Sequence, residues 1–151
     1  MLLLVVLCTF LAWYVWLTLR VRKDFRIVQV RTDTLTDTVL HEKYPVLIHD
    51  VVDDLNQLAN APAFRYLHFF KDAHAVKTVP TRTTSRFTLL HHVGKEDQEL
   101  QVTSLGVSVP MRVEPANVIV LPAGWGYETK EGDKWDGIEL NDLTHRLFFP
   151  H

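Results

Sequence analysis

Histidine is the residue that most invites a chemical reading in this chain of 151 residues, which holds eight of them. A His-x-Asp or His-x-Glu pair on a strand puts both side chains on one face, where they can serve as two arms of a facial triad around Fe(II). Two residues after His41, His49, His68, His74, His91, His92 and His145 stand Lys43, Val51, Phe70, Val76, Val93, Gly94 and Leu147. None is a carboxylate, so that chemistry lacks its ligands. His91 and His92 are adjacent, as are His49 and Asp50; strand neighbours point to opposite faces and cannot chelate together. There is no His-Glu-x-x-His, no Gly-x-Ser-x-Gly elbow and no glycine-rich phosphate loop. The single cysteine, Cys8, lies in an apolar run, which excludes a disulfide and zinc thiolates. Asp53-Asp54 reads as a solvated helix face. Lys71, Lys77, Arg82 and Arg86, opposed only by Asp72, read as a thinly basic solvated loop. No catalytic residue, metal site or cofactor is expected.

The elements that would carry these residues are mostly strands. Phe25 to Arg31 alternates apolar and polar residues, and Tyr44 to His49 is a second β-rich run in which Pro45 marks a strand start or a sheet edge. Asp50 to Ala61 is the one clear helix, capped by Asp50, striped by Val51, Val52, Leu55 and Leu58, and closed by Pro62. Phe64 to Phe70 reads as a strand and Lys71 to Ser85 as a long polar excursion. Arg86–Val93, Glu99–Leu105, Val107–Val113, Val118–Leu121 and Gly126–Thr129 follow as short strands, with turns at Gly94 and Gly106 and an edge or bulge at Pro110. Lys130 to Lys134 is an exposed hairpin tip beside Trp135, and Ile138 to Phe149 is a strand pair or a short helix. The fold class is mainly β: a small barrel or sandwich with one short helix.

The amino-terminal run changes the setting. Residues 1–19 carry no charge, and Arg20, Arg22 and Lys23 follow at once. As a helix the run reaches ~28 Å, near the ~30 Å hydrocarbon core of a bilayer. Its seven Leu, three Val and one Phe favour insertion by roughly 3–6 kcal/mol. Trp13, Tyr14 and Trp16 sit toward the charged end, where amphipathic rings prefer the headgroup level. Nothing positive precedes Leu2 and no Ala-x-Ala site follows, so a retained anchor is expected rather than a cleaved signal. The flanking positive charge places the following domain on the cytoplasmic side. The expected division is a transmembrane anchor at 1–19, a basic juxtamembrane segment at 20–24 and a β-rich domain at 25–151. All 16 basic and 18 acidic residues lie beyond the anchor, which leaves no field for gathering nucleic acid.

Glu114 to Tyr127 reads EPANVIVLPAGWGY. Pro115 and Asn117 make a turn, Val118 to Leu121 a buried strand, and Pro122-Ala123-Gly124 a corner that turns the next side chain inward. The segment resembles the second motif of cupin-like domains related to the JmjC oxygenases, and Tyr44 to Ile48 (YPVLI) resembles their early strand. The resemblance implies a jelly-roll barrel whose metal-binding histidine would stand two residues after Trp125. That position is Tyr127, so the resemblance implies a degenerate motif (Pro115, Asn117, Pro122, Gly124, Trp125, Tyr127) and a filled pocket.

An apolar start, YPVLI, strands and a VLILP-x-x-W-x-Y-like corner together resemble hypothetical virion proteins of large double-stranded DNA viruses. That resemblance implies a non-catalytic, membrane-anchored minor capsid or virion membrane protein, with a lipid bilayer and other capsid proteins as partners. The alternative is a membrane-bound, 2-oxoglutarate-like cupin enzyme with atypical ligands such as His91 or His92 with His145.

Overall fold

The run Val118–Pro122 is buried at all five positions, a pattern that one packed face cannot produce. A strand covered on both sides needs layers above and below it, and that is the arrangement found. The computed structural model describes residues 1–19, 24–51, 54–64, 72–75, 81–82, 85–130 and 134–142, with backbone alone at 17–19, 72–75 and 81–82.

The order is α1 (Leu2–Leu19), β1 (Val28–Arg31), α2 (Asp37–His41), β2 (Val46–His49), α3 (Leu55–Ala59), β3 (Asp72–Ala75), β4 (Thr81–Arg82), β5 (Phe87–His92), β6 (Gln98–Ser104), β7 (Val107–Val113), β8 (Val118–Pro122), β9 (Gly126–Glu128) and β10 (Trp135–Asn141). Six strands form one sheet in the order β1-β2-β8-β5-β10-β3, and four form another, β4-β9-β6-β7. The pairings are antiparallel except β1–β2, which is parallel with Val28 opposite Val46. A parallel pair needs a crossover, and α2 supplies it.

Alternate residues of the central strands serve different layers. Val118 and Val120, Phe87 and Leu89, and Val46 and Ile48 pack with Leu40, Leu55, Leu58 and Phe64 on the helical side. Ile119 and Leu121, Leu90 and Leu47 face the second sheet and pack with Leu100, Val102, Met111, Val113, Trp125, Tyr127 and Trp135. At roughly 1.5–3 kcal/mol for each fully buried large side chain, these two clusters dominate the stability of the domain. The result is a two-sheet sandwich with helices on one outer face; among the described residues no barrel closes.

Several expectations are corrected. Two short α-helices stand where one was expected: α2 begins at Asp37, at the end of a stretch (Thr32 to Thr38) whose polar composition reads as a turn. The helix read from Asp50 is confined to Leu55–Ala59, with Asp54 as its cap. Asp50 takes φ +56°, and the Val51 N–H donates to the Ala116 carbonyl at 3.2 Å, so that stretch is tied to a loop. Phe64 closes a 3-10 turn (Pro62–Phe64); 65–70 lie outside the described residues. The stretch expected as a loop, 71–85, contains β3 and β4. Pro45 stands at a strand start, as expected, directly before β2 of the sheet interior, and Pro110 sits on an edge strand.

The helix α1 is apolar all round, without a stripe, and its described side chains are exposed apart from a half-buried Val15. The Thr9 hydroxyl donates to the Val5 carbonyl at 2.8 Å, which satisfies it inside the helix. Over the described residues, whose side chains stop at Trp16 in α1, no helix is long and apolar enough to cross a membrane. The helical backbone itself continues to Leu19, 18 residues in all. Crossing of a bilayer by residues 1–19 therefore does not follow from the described helix alone.

Candidate functional site

Four residues make the corner that the degenerate motif predicts. Gly124 takes φ +87° and the Trp125 N–H donates to the Pro122 carbonyl at 3.2 Å, the geometry of a turn whose third residue must be left-handed. Trp125 and Tyr127 are thereby turned into the space between the sheets, each 1% exposed. Upstream, Asn117 N–H donates to the Glu114 carbonyl at 3.3 Å and Ala116 takes φ +64°, so Pro115 stands in the expected turn and Asn117 is buried.

This corner holds the segment that leads in from α1. Trp125 Nε1 donates to the Lys43 carbonyl at 3.2 Å, and the Phe25 ring stands edge-on to the indole with centroids 5.2 Å apart. The Tyr44 hydroxyl donates to the Asp24 carboxylate. Pairing across such sequence separation left no local signal; Asp24, Phe25 and Tyr44 were missed as a site because nothing in their own neighbourhood marks them.

Beside the same corner lies a cleft of about 20 Å³, lined by His41, Lys43, Arg86, the apolar Leu40 and Phe87, and the Pro122–Ala123 backbone turn. Arg86 is held from several sides. Its carbonyl accepts from Ala123 N–H at 3.1 Å, its N–H donates to Asn141 Oδ1 at 3.3 Å, and its guanidinium lies 3.6 Å from the Asp142 carboxylate, with both side chains mostly buried. Arg86 was read as part of a thinly basic loop; Lys71 and Lys77 of that loop lie outside the described residues, and Arg82 is described only in its backbone. The Leu-His-Glu-Lys run at 40–43 was the available signal for His41 and Lys43.

The histidine pair separates as strand geometry requires. His92 is buried against Trp135, ring centroids 5.1 Å apart and planes at 66°. Among the described residues neither of its ring nitrogens, nor Trp135 Nε1 or Gln98 Oε1, has a hydrogen-bond partner. His91 is half-buried on the opposite face. Burial lowers its pKa from the ordinary value, His92 adds to that shift, and the Asp136 and Asp54 carboxylates oppose it. Asp54 is exposed, its pKa lowered first by the Asn56 side-chain hydrogen bond, while Asp53 lies outside the described residues. So do His145 and His68. The enzymatic alternative pairs His91 or His92 with His145, so its ligand pair is not wholly among the described residues. No three His, Cys, Asp or Glu side chains among the described residues come together as a metal site.

An open depression of about 530 Å³ is lined by Glu96, Asp97, Gln98, Glu99, Arg112 and Lys130. Arg112 pairs with Asp97 at 2.6 Å and Lys130 with Glu99 at 3.5 Å, so both of its cations are engaged, at a surface where such pairs contribute little. Of the expected anchor residues, Trp13, Tyr14 and Trp16 are exposed on α1, and Arg20, Arg22 and Lys23 lie outside the described residues.

No protein-family profile matches the chain, and no curated protein matches it in sequence. Among solved structures, RmlC from Streptococcus suis, determined in complex with dTDP-D-xylose, is similar over 59% of this chain and 52% of its own, at 13% identity and a TM-score of 0.33. The match thus spans about half of that protein, and a likeness this weak leaves the established description at a mainly β, two-sheet domain.

Proposed function

We propose that this chain is a membrane-anchored, non-catalytic interaction protein in which α1 enters a bilayer and the sandwich is presented at its surface. The observation that carries the reading is α1 itself: uncharged, apolar on every side, exposed from Leu2 to Trp16 apart from Val15, and with its Thr9 hydroxyl satisfied internally. Such a helix is stable in lipid and costly in water. The apolar filling between the sheets supports a role carried by surfaces rather than by an interior pocket. The degenerate corner motif remains the support for a cupin-like ancestry. The resemblance to virion proteins of large double-stranded DNA viruses makes the setting a minor capsid or virion membrane protein joining an internal membrane to a protein shell.

The test is extraction of the full chain from membranes at alkaline pH. Retention in the membrane pellet, with release by detergent, is expected. Recovery in the supernatant overturns the anchor. Stoichiometric iron, manganese or zinc in protein purified from detergent overturns the non-catalytic part of the reading.

A further inference from the structure

We propose that the cleft between His41, Lys43 and Arg86 binds the phosphate of an anionic lipid headgroup, and that the face carrying it is turned to the bilayer. The inference rests on the reading of α1 as an anchor and adds to it a ligand and an orientation.

The first argument is reach. Five Cα steps separate Leu19, the last helical residue of α1, from Asp24. Fully extended they span at most about 18 Å. Asp24 is clasped by Tyr44, and Phe25 is stacked on Trp125, so the corner cannot drift further from the end of the anchor. The headgroup zone on each side of the hydrocarbon occupies roughly 5–8 Å of that distance. The part of the domain built around Trp125, Lys43 and Tyr44 is therefore the part nearest the lipid.

The second argument is chemical. The cleft lies at that same corner, since Lys43 lines it and also supplies the carbonyl that binds Trp125 Nε1. Its polar lining residues all carry nitrogen donors: His41, Lys43 and Arg86, the last with its backbone N–H on Asn141 and its guanidinium beside Asp142. Guanidinium and ammonium groups pair strongly with phosphate oxygens. Of the acidic groups nearby, Asp24 is engaged by Tyr44, whereas Asp142 is paired with the Arg86 guanidinium, so a phosphate oxygen there shares that cation with it.

The third argument is size. A cleft of about 20 Å³ holds one or two water-sized atoms. It admits phosphate oxygens while the remainder of the lipid stays outside, as a headgroup approaching from the membrane plane requires. The connecting sequence between Leu19 and Asp24 holds three further basic residues, Arg20, Arg22 and Lys23.

The experiment uses the full chain in nanodiscs of phosphatidylcholine, with and without one fifth phosphatidic acid, and reads amide hydrogen exchange across 40–45 and 85–88. Exchange there is expected to slow about fivefold for each basic side chain engaged when phosphatidic acid is present. Arg86→Gln is expected to lose its share and Arg86→Lys to keep most of it. Lys43→Asn, compatible with the φ +59° at that position, gives the same loss without touching the buried ion pair. Equal exchange in both discs overturns the proposal. So does full protection by inorganic phosphate in phosphatidylcholine discs, which would make the ligand a soluble anion. A chain that enters neither disc defeats the anchor and this orientation together. A chain that enters both without discriminating defeats the headgroup site and leaves the anchor standing.

Discussion

Phe25 and Trp125 meet edge to face across exactly one hundred positions of sequence, their ring planes at 72°. The contact joins the segment that precedes β1 to the corner between β8 and β9, so it couples that segment to a turn whose Trp125 is buried. Trp125→Ala is expected to cost about 3–5 kcal/mol. Phe25→Ala, at a half-buried position, should cost less, and the double mutant should show a coupling of about 0.5–1.5 kcal/mol. Urea unfolding of the four proteins measures it; strict additivity would show that the rings are merely near one another.

The β6–β7 hairpin turns through Leu105 at φ +50° and Gly106 at φ +85°, with Ser104 opposite Val107. Both central residues of such a two-residue turn are left-handed, which suits Gly and Asn and penalises a side chain like leucine. Leu105→Asn is expected to stabilise the protein by about 1 kcal/mol, read as a raised urea midpoint at unchanged slope.

A Cβ at Gly94 would lie 2.9 Å from His92 Nε2. The imidazole is buried against Trp135 and has little room to yield. Gly94→Ala is expected to destabilise by about 1–3 kcal/mol and to alter the near-ultraviolet circular dichroism of Trp135. An unchanged spectrum would mean that the loop gives way instead of the ring.

His91 gives a pH dependence of defined sign. Its folded pKa lies below the ordinary 6.5, chiefly through burial, so the unfolded chain takes up the proton more readily. Its contribution is present in full above the unfolded value and is lost as pH falls through the folded one. His91→Gln should therefore narrow the difference in unfolding midpoint between neutral and mildly acidic buffer. The same difference in both proteins would assign the pH dependence elsewhere.

Leu11→Arg places a charge in the middle of α1. On the insertion scale a central arginine costs about 2.5–3.5 kcal/mol, a large part of what the apolar side chains supply. Loss of the chain from the alkaline-washed membrane pellet is expected, and full retention would contradict the anchor.

Much of the β-domain was readable because its strands carry their own punctuation. Val107–Val113 was bounded by Gly106 and Pro115, and the Pro-Ala-Gly-Trp corner announced both its turn and the inward course of Trp125. The helix was misplaced because Asp50 has the composition of a cap, whereas the Ala116 carbonyl, distant in sequence, binds the Val51 N–H and holds that stretch out of the helix. The cleft residues were hidden for a similar reason. His41 ends α2, Lys43 follows it and Arg86 precedes β5, and the Trp125–Lys43 and Ala123–Arg86 hydrogen bonds hold these distant stretches at one corner.

By itself the order of residues determined an uncharged apolar start, a basic segment after it, and a mainly β remainder, because charge content and local periodicity are properties of short stretches of chain. The tertiary structure alone decided that the sheets form an open sandwich, that helices cover one outer face, and that Asp24 and Phe25 lie on the Trp125 corner beside a basic cleft. Those relations depend on which distant segments exclude water together, and no local pattern encodes that choice.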